Sequence, residues 1–362
     1  MKYLDEFRDK HLVAKAAQRL ERLMPGRRVR IMEVCGTNTQ NFFRFGLDKI
    51  IPEGLQLVSG PGCPVCVSAQ DYIDKAVALS RDKNNLVLSF GDMLCVPGSR
   101  MSLEEARAIS GNVAVVYSPW ETLAYAREHP AKRVVFLAVG FETTAPAIGL
   151  SIMQAEKEKI KNLFFLAALK LIPPAMRFLA ADRNARLDGF LCPGHVYAII
   201  GAGPYVAIAR RYGLPCCVAG FEPLDILEGL CLILRRIKQG SVAVDNQYSR
   251  VVAFGGNSRA QAIMQNVFAV GSASWRGLGE IPASGLRLRR EYSAFDARKI
   301  PIRYPLSAIR HTLKGCRCAD VLKGLIAPTQ CPLFKKSCRP QRPVGPCMVS
   351  SEGACNAYFK YR

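Results

Sequence analysis

The chain has 362 residues, of which 49% are hydrophobic and 22% are charged, and its formal net charge is +21. This length accommodates two or three domains, and the composition excludes a disordered chain. The apolar runs are far shorter than the roughly 18 residues that a membrane-spanning helix needs, so we expect no transmembrane segment. The charged start, residues 5–10, lacks the apolar core of a secretion signal, and we expect a cytoplasmic protein.

Between residues 29 and 230, a short apolar run, a loop rich in Gly and Pro, and a helix-like stretch alternate eight times. Apolar runs separated by helical lengths are typical of parallel strands in βα units. The sequence therefore predicts an α/β fold with doubly wound parallel sheets, in which ligands bind at the carboxyl ends of strands. The predicted strands are residues 29–34, 55–58, 86–90, 113–117, 134–139, 163–168, 189–191 and 216–219.

Cys35 follows the first predicted strand, and residues 36–38 can surround its sulfur with backbone N–H groups. A single cysteine at this point is either a core thiol or a ligand. Cys63 and Cys66 follow the second predicted strand and are expected at the same sheet edge. Because of this shared edge, we interpret Cys35 as a metal ligand.

Cys63 and Cys66 form a Cys-x-x-Cys motif ahead of a predicted helix over residues 71–79. A helix N-terminus lowers the pKa of a nearby thiol, which makes the thiol a better nucleophile and ligand. The motif predicts a dithiol for redox chemistry or metal binding, and two buried packing residues are the alternative. Structural zinc is disfavoured, since no second Cys or His pair follows at the spacing of a zinc finger.

Two later loops carry polar side chains at the ends of predicted strands. Glu142, Thr143 and Thr144 follow the fifth strand, where a threonine can cap the next helix. His195 follows the seventh. Glu142 and His195 are candidates for acid–base or ligand roles, with hydrogen bonding inside the loop as the alternative. We interpret the other cysteines of this part as mostly packing residues, namely Cys95, Cys192, Cys216, Cys217 and Cys231.

A dense array of six cysteines lies near the C-terminus. Soft thiolate ligands without His favour an iron–sulfur cluster, which takes four of them, and a zinc site with four cysteines is the alternative. The two remaining thiols can exchange electrons with the cluster as a dithiol or disulfide. The six are Cys316, Cys318, Cys331, Cys338, Cys347 and Cys355.

Positive charge is concentrated in residues 287–362, which contain 16 Lys and Arg against 4 Asp and Glu. Nucleic-acid phosphates, a negatively charged cluster or an acidic protein partner can each account for this excess. The segment lacks the interleaved aromatic and basic residues of a base-stacking surface. We therefore favour compensation of the cluster charge together with an acidic partner, and we expect no nucleic-acid binding.

Taken together, these motifs resemble those of the hydrogenase maturation factor HypD family. The resemblance extends over nearly the whole chain, through residues 34–37, 60–66, 90–92, 140–144, 193–195, 275–279 and 316–355. It implies two α/β domains that face a cleft, residues 1–118 and 119–240. It also implies a smaller C-terminal domain, residues 241–362, that binds a 4Fe–4S cluster.

The resemblance further implies a function. Such proteins hold an iron ion together with a HypC-type chaperone while cyanide and carbon monoxide are attached, and cyanide arrives through a HypE-type donor. The Fe(CN)2CO centre then passes to the large subunit of a nickel–iron hydrogenase. This is the role of an assembly scaffold rather than of a turnover enzyme. A cluster-linked thiol-disulfide oxidoreductase is the alternative.

Carried over to this sequence, the resemblance makes Cys35 the cysteine that holds iron, and Cys63 with Cys66 the redox dithiol of the cleft. The same cleft is lined by Glu142, Thr143, Thr144 and His195. The implied cluster ligands are Cys316, Cys331, Cys338 and Cys355. The two cysteines that remain, Cys318 and Cys347, become the adjacent redox pair.

Position 38 departs from the family pattern. This chain has Asn38 where the family has His, and Gln40 where a second His is sometimes found. An asparagine side chain does not titrate near neutral pH and is a poor metal ligand. If the family His tunes the thiolate or binds iron, either the activity is altered here or another residue such as His195 takes that role.

Overall fold

The computed structural model describes residues 5–302 and 315–362. The described residues form eleven β-strands, which are β1 Val29–Glu33, β2 Leu55–Ser59, β3 Asn85–Ser89, β4 Val113–Val115, β5 Arg133–Gly140, β6 Leu163–Lys170, β7 Gly189–Pro193, β8 Cys216–Ala219, β9 Val244–Asn246, β10 Phe268–Trp275 and β11 Gly279–Leu288.

The same residues form fourteen α-helices, which are α1 Lys10–Leu23, α2 Gly36–Arg44, α3 Gln70–Ser80, α4 Gly91–Leu94, α5 Leu103–Ser110, α6 Glu121–Glu128, α7 Ala145–Lys157, α8 Ile172–Ala181, α9 Gly194–Ile200, α10 Gly203–Tyr212, α11 Pro223–Lys238, α12 Ser258–Val267, α13 Cys318–Leu322 and α14 Ala354–Tyr361. Short 3-10 turns connect several of them, the first at Asp5–Arg8. None of the helices in the described ranges has the length and apolarity that a membrane span requires.

The strands of the described residues form two sheets. The first has the order β2-β1-β7-β8-β9 and is parallel throughout. The second has the order β10-β11-β6-β5-β3-β4, in which β3 to β6 are parallel and the β10–β11 hairpin is antiparallel. All eight predicted strands are confirmed as β1 to β8, and the protein is an α/β protein with one parallel and one mixed sheet.

The predicted boundaries at residues 118 and 240 do not match the sheets and need correction. The first sheet takes its strands from residues 29–59 and 189–246, and the second from residues 85–170 and 268–288. The chain therefore crosses between the sheets more than once. Apolar runs identify strands but carry no information about which strands pair, so the contiguous division was wrong. Of the predicted C-terminal domain, residues 303–314 lie outside the described residues.

The hairpin of β10 and β11 was not predicted. β10 reads Phe-Ala-Val-Gly-Ser-Ala-Ser-Trp and lies at the edge of its sheet, where most of its residues are partly or fully exposed. An edge strand needs few apolar residues and therefore lacks the periodic signal of a buried strand.

The C-terminal cysteine segment packs on the α/β part of the protein. Cys347 and Cys355 share one buried cluster with Cys63 and Cys66. The helix α14 contacts α2, and the ring of Tyr358 lies 4.3 Å from that of Phe43. The last forty residues are therefore in direct contact with the loops at the carboxyl edge of the first sheet.

A buried ion pair connects α11 to the segment after β9. The Asp225 carboxylate is fully buried and accepts two hydrogen bonds from the Arg250 guanidinium, at 2.8 and 2.7 Å. The side-chain amide of Gln247 donates to the same carboxylate at 2.8 Å. The guanidinium also stacks on the ring of Phe7, 3.6 Å from its centroid. The pair thus holds the N-terminal segment against the first sheet.

Replacing Arg250 by methionine should destabilise the fold by about 3–5 kcal/mol, because it leaves a buried carboxylate without its counter-ion. Thermal unfolding measures the loss. Arg127→Met is the matched control, since Arg127 pairs with Glu158 at the surface, where an exposed ion pair adds little to stability. Equal effects of the two substitutions would contradict this assignment.

Candidate functional site: buried thiols at a sheet edge

Cys35 lies at the N-cap of α2, directly beyond the end of β1. The backbone N–H groups of Thr37 and Asn38 donate to its sulfur, as the sequence predicted. Burial nevertheless dominates and raises the pKa of Cys35 to about 12. The thiol is therefore neutral at physiological pH, and a metal ion that binds it must displace a proton.

The loop with Cys63 and Cys66 packs directly on Cys35. The Gly36 N–H donates to the Gly62 carbonyl at 3.1 Å. A Cβ atom at Gly62 would lie 2.5 Å from the Cα of Cys35, so only glycine allows this approach. Both cysteine side chains are buried, and the Cys66 N–H donates to the Cys63 sulfur at 3.3 Å. The two cysteine sites predicted from separate loops are therefore neighbours.

The expected low thiol pKa in this loop is contradicted at Cys66. Helix α3 begins at Gln70, four residues further along the chain. Cys66 is 1% exposed, and burial raises its pKa well above the ordinary value. The cost of placing a thiolate in an apolar interior exceeds the benefit from a helix end that does not contact it.

Two carboxylic acids that were not predicted lie near Cys35. Glu33, the last residue of β1, is 1% exposed and accepts a hydrogen bond from Ser59 Oγ at 3.1 Å. Burial raises the pKa of Glu33 to about 8. Glu352 comes from the C-terminal segment and accepts from Thr37 Oγ1 at 2.7 Å. Cys35 therefore has two acids near it, Glu33 from its own strand and Glu352 from a distant part of the chain.

Four buried polar side chains of this region have atoms without hydrogen-bond partners among the described residues. The unpaired atoms are both amide atoms of Asn38, Oε2 of Glu33, Oε2 of Glu142 and the hydroxyl of Tyr205. Burial raises the pKa of Tyr205 well above its ordinary value, and the charges of Glu142 and Cys35 contribute in the same direction. An unpaired buried polar group costs about 1–3 kcal/mol. Such a concentration around a thiol is typical of a binding site.

Glu142 occupies the loop after β5 and is fixed by the backbone. Its Oε1 atom accepts from the Ile172 N–H at 2.9 Å, and burial raises its pKa to about 8. Thr144 is the N-cap residue of α7, but its side chain makes no capping hydrogen bond. The capping role predicted for the threonines is therefore not found, and Thr143 is exposed to solvent.

His195 lies at the start of α9, beyond the end of β7, which neighbours β1. Its ring stacks on Phe221, with 4.0 Å between the ring centroids. Among residues 5–302 and 315–362, no hydrogen bond connects the His195 side chain to Cys35, Cys63 or Cys66. The structure brings His195 to the same sheet edge as these cysteines without direct contact.

Five C-terminal cysteines line one small cavity, whose walls also include Leu333, Phe334 and Met348. The five are Cys316, Cys318, Cys331, Cys338 and Cys355. Cys347 lies behind them and is fully buried. Its thiol is within hydrogen-bonding range of the thiols of Cys318, Cys355 and Cys66.

The contact between Cys66 and Cys347 joins the cleft loop to the C-terminal array. The Cys66 sulfur lies 3.7 Å from the carbonyl oxygen of Pro346. A Cβ atom at Gly353 would approach that sulfur to 3.0 Å, so the two segments are tightly packed. A continuous series of thiols therefore runs from Cys63 through Cys66 and Cys347 to the cavity.

No three Cys, His, Asp or Glu side chains in the described part of the chain converge closely enough to hold a single metal ion. A 4Fe–4S cluster makes a different demand, since its four thiolates are spread around a group of several atoms. The five cysteines that line the apolar cavity can supply the four thiolates that such a cluster needs. The Arg276 guanidinium also lies close enough to interact with the charges of Cys318 and Cys316, which suits a negatively charged group.

Four of the five cysteines interpreted as packing residues are buried, namely Cys192, Cys216, Cys217 and Cys231. Cys95 is exposed, so the packing interpretation is wrong for it. It follows the short helix α4, which places it at the surface.

Because the pKa of Glu142 is raised to about 8, the free energy of unfolding should decrease as the pH rises from about 4.5 to 8. In this range the folded state keeps the carboxyl proton that the unfolded state loses, so stability falls by up to about 1.4 kcal/mol per pH unit. Glu142→Gln cannot titrate, and its melting temperature should decline less steeply over this range. The exposed Glu128→Gln serves as the control. Parallel pH profiles for wild type and Glu142→Gln would contradict the assignment.

The sequence agrees with known proteins over its whole length. The family model described as HypD, hydrogenase formation hypA family, matches residues 11–362. The chain is 43% identical to the hydrogenase maturation factor HypD of Rhodobacter capsulatus, covering 100% of this chain and 98% of that protein. It is 40% identical to the HypD of Escherichia coli with the same coverage. These similarities establish that the chain belongs to the HypD family.

Proposed function

We propose that this chain is a scaffold for assembling the Fe(CN)2CO centre of a nickel–iron hydrogenase in the cytoplasm. Its partners are a HypC-type chaperone, a HypE-type cyanide donor and, through them, the hydrogenase large subunit. The relatives carry the name hydrogenase maturation factor, which supports this class of function. The iron is the cargo of the scaffold, and Cys35 is its ligand.

The observation that carries the proposal is the set of unpaired polar atoms around the buried Cys35 thiol. Asn38, Glu142 and Tyr205 offer an amide, a carboxyl group and a hydroxyl in an interior that excludes water. Cyanide bound to iron carries a hydrogen-bond acceptor at its nitrogen. An amide N–H or a phenol O–H can donate to it, which satisfies groups that otherwise remain unpaired.

Asn38 fits this role although it replaces the family His. Its side chain is fully buried, and neither its amide oxygen nor its amide nitrogen has a partner among the described residues. The amide can donate at every pH, whereas an imidazole changes its proton count near neutrality. We therefore assign Asn38 to hydrogen bonding with the cargo rather than to metal ligation.

The C-terminal cavity is proposed to hold a 4Fe–4S cluster through Cys316, Cys331, Cys338 and Cys355. When bound, such a cluster supplies one-electron chemistry. Arg276 supports this assignment, because a half-buried cation close to the thiols offsets the negative charge of a cluster with four thiolates. Cys318 and Cys347 then form the neighbouring redox pair.

Infrared spectroscopy in the cyanide and carbon monoxide stretching region tests the scaffold directly. After anaerobic co-purification with the HypC-type chaperone, wild type should show bands of both ligands. Cys35→Ser should lose all of them, because iron loses its ligand. Cys231→Ser, which alters a buried cysteine packed beneath α1, should keep them. Bands of unchanged intensity in Cys35→Ser would refute the proposal.

In the same experiment, Tyr205→Phe tests whether the Tyr205 hydroxyl contacts the bound ligands. It removes the unpaired hydroxyl but keeps the ring, so the bands should persist at shifted frequencies. Tyr292→Phe is the control, since its hydroxyl accepts from Asn266 elsewhere in the protein. Unshifted bands in Tyr205→Phe would exclude the hydroxyl from the ligand environment without affecting the role of Cys35.

The contact between Cys66 and Cys347 favours thiol-disulfide exchange as a second activity. A Cys318–Cys347 disulfide and a reduced Cys63–Cys66 pair can exchange through a mixed Cys66–Cys347 disulfide. The products are a Cys63–Cys66 disulfide and two reduced thiols, so two electrons and two protons are transferred within the chain. Without a role for Cys35, this activity alone would make the protein an oxidoreductase.

The double variant Cys63→Ser, Cys318→Ser should accumulate the mixed Cys66–Cys347 disulfide after mild oxidation. Both thiols that would resolve the mixed disulfide are absent, so the exchange stops halfway. Mass spectrometry of non-reduced peptides identifies the bond. The variant should keep the iron of its cluster, because the four proposed cluster ligands remain. The double variant Cys217→Ser, Cys231→Ser is the control. Absence of the cross-link in the first variant would rule out the exchange.

A further inference from the structure

A cavity of about 1060 Å3 lies along the outer edge of the first sheet and has no part in the functions proposed above. Strand β2 forms one wall along its whole length, and the segment 324–330 forms another. The loop before β1 and the C-terminal residue Arg362 complete the lining. The cavity is thus an elongated groove beside an edge strand.

The strand β2 presents unpaired backbone groups to this groove. The Val29 N–H donates to the Gly54 carbonyl, and the Gly60 N–H donates to the Glu33 carbonyl. In a parallel pair, the backbone N–H and C=O groups of alternate residues point toward the partner strand. The backbone groups of residues 54, 56, 58 and 60 therefore point toward β1. Leu57 and Ser59 therefore direct their backbone groups outward, and their N–H groups have no backbone partner among the described residues.

The charges along the groove are predominantly positive. Of the residues that the structure describes, five arginines and three carboxylates line it. Arg27 pairs with Asp188 at 2.8 Å, and Arg362 lies 3.8 Å from Asp48. The remaining groups are three arginines against one carboxylate, Glu53. The Arg28 and Arg186 guanidinium groups are exposed and form no ion pair with any described residue.

We propose that this groove binds an extended acidic segment of a partner protein, which adds to β2 as a sixth strand. Backbone groups of Leu57 and Ser59 supply the hydrogen bonds of strand addition, and alternate side chains of the segment face Arg28 and Arg186. A strand of five residues spans about 17 Å, so one short segment covers β2. The excess of arginine specifies acidic side chains.

The groove also reaches the support of the Cys35 site. Ser59 lines it and donates its hydroxyl to Glu33, and Phe42 and Phe43 of α2 line it as well. A segment seated here therefore contacts the helix that carries Cys35 at its N-cap. The proposal itself rests on the geometry of β2 and does not require the scaffold function.

Fluorescence anisotropy tests the proposal with a labelled nine-residue peptide that alternates glutamate and threonine, added to the full-length protein. Wild type should bind it, and affinity should fall as salt is raised. The double variant Arg28→Glu, Arg186→Glu should bind at least about tenfold more weakly. Arg259→Glu, which changes an exposed arginine of α12, should bind like wild type. Equal affinity of wild type and the double variant would overturn the proposal.

Two further arms separate strand addition from plain charge attraction. A peptide methylated on alternate backbone nitrogens keeps its charge but cannot pair with β2, and it should lose binding. Hydrogen exchange of the Leu57 and Ser59 amides should slow when the unmodified peptide binds, while β4, the edge strand of the second sheet, should not change. Equal binding of the methylated peptide, or displacement of the acidic peptide by oligothymidine at physiological salt, would contradict the assignment.

Discussion

Water is excluded from the pocket around Cys35, and the chemistry proposed for the site follows from this exclusion. Burial raises the pKa of Cys35 to about 12 and that of Glu33 and Glu142 to about 8. At neutral pH the pocket therefore contains neutral acids and a neutral thiol. A divalent cation reverses that preference, because it stabilises the thiolate that burial disfavours. The site is thus suited to hold a cation that arrives with its own ligands.

The topology explains how one short region collects groups from the whole chain. β1 and β7 are neighbours although about 150 residues separate them in sequence, so the Cys35 and His195 loops share an edge. Glu142 comes from the second sheet, and Tyr205 from a helix between β7 and β8. The C-terminal segment then packs against the loop of Cys63 and Cys66. Interleaving the two sheets fixes these loops relative to each other more firmly than a flexible connection between contiguous domains would.

The sequence predicted the local features well and the long-range contacts poorly. Apolar periodicity identified β1 to β8, and loop position identified Cys35, Cys63, Cys66 and Glu142 as site candidates. Glu33 and Tyr205 carried no such signal, because a buried acid in a strand and a tyrosine in a helix look like core residues. The Cys66–Cys347 contact spans 281 positions, and no local pattern encodes it. The prediction of a low thiol pKa at Cys66 was wrong for a related reason, since the burial of this thiol depends on segments that are distant in sequence.

The proposed function requires that one chain hold two separate kinds of iron, the cargo at Cys35 and a cluster in the C-terminal cavity. Mössbauer spectroscopy of the anaerobic complex with the HypC-type chaperone, enriched in 57Fe, measures both together. Cys35→Ser should remove the mononuclear signal and leave the cluster signal, whereas the double variant Cys331→Ser, Cys338→Ser should remove the cluster signal. An unchanged spectrum in Cys35→Ser, or loss of both signals in that variant, would contradict the account.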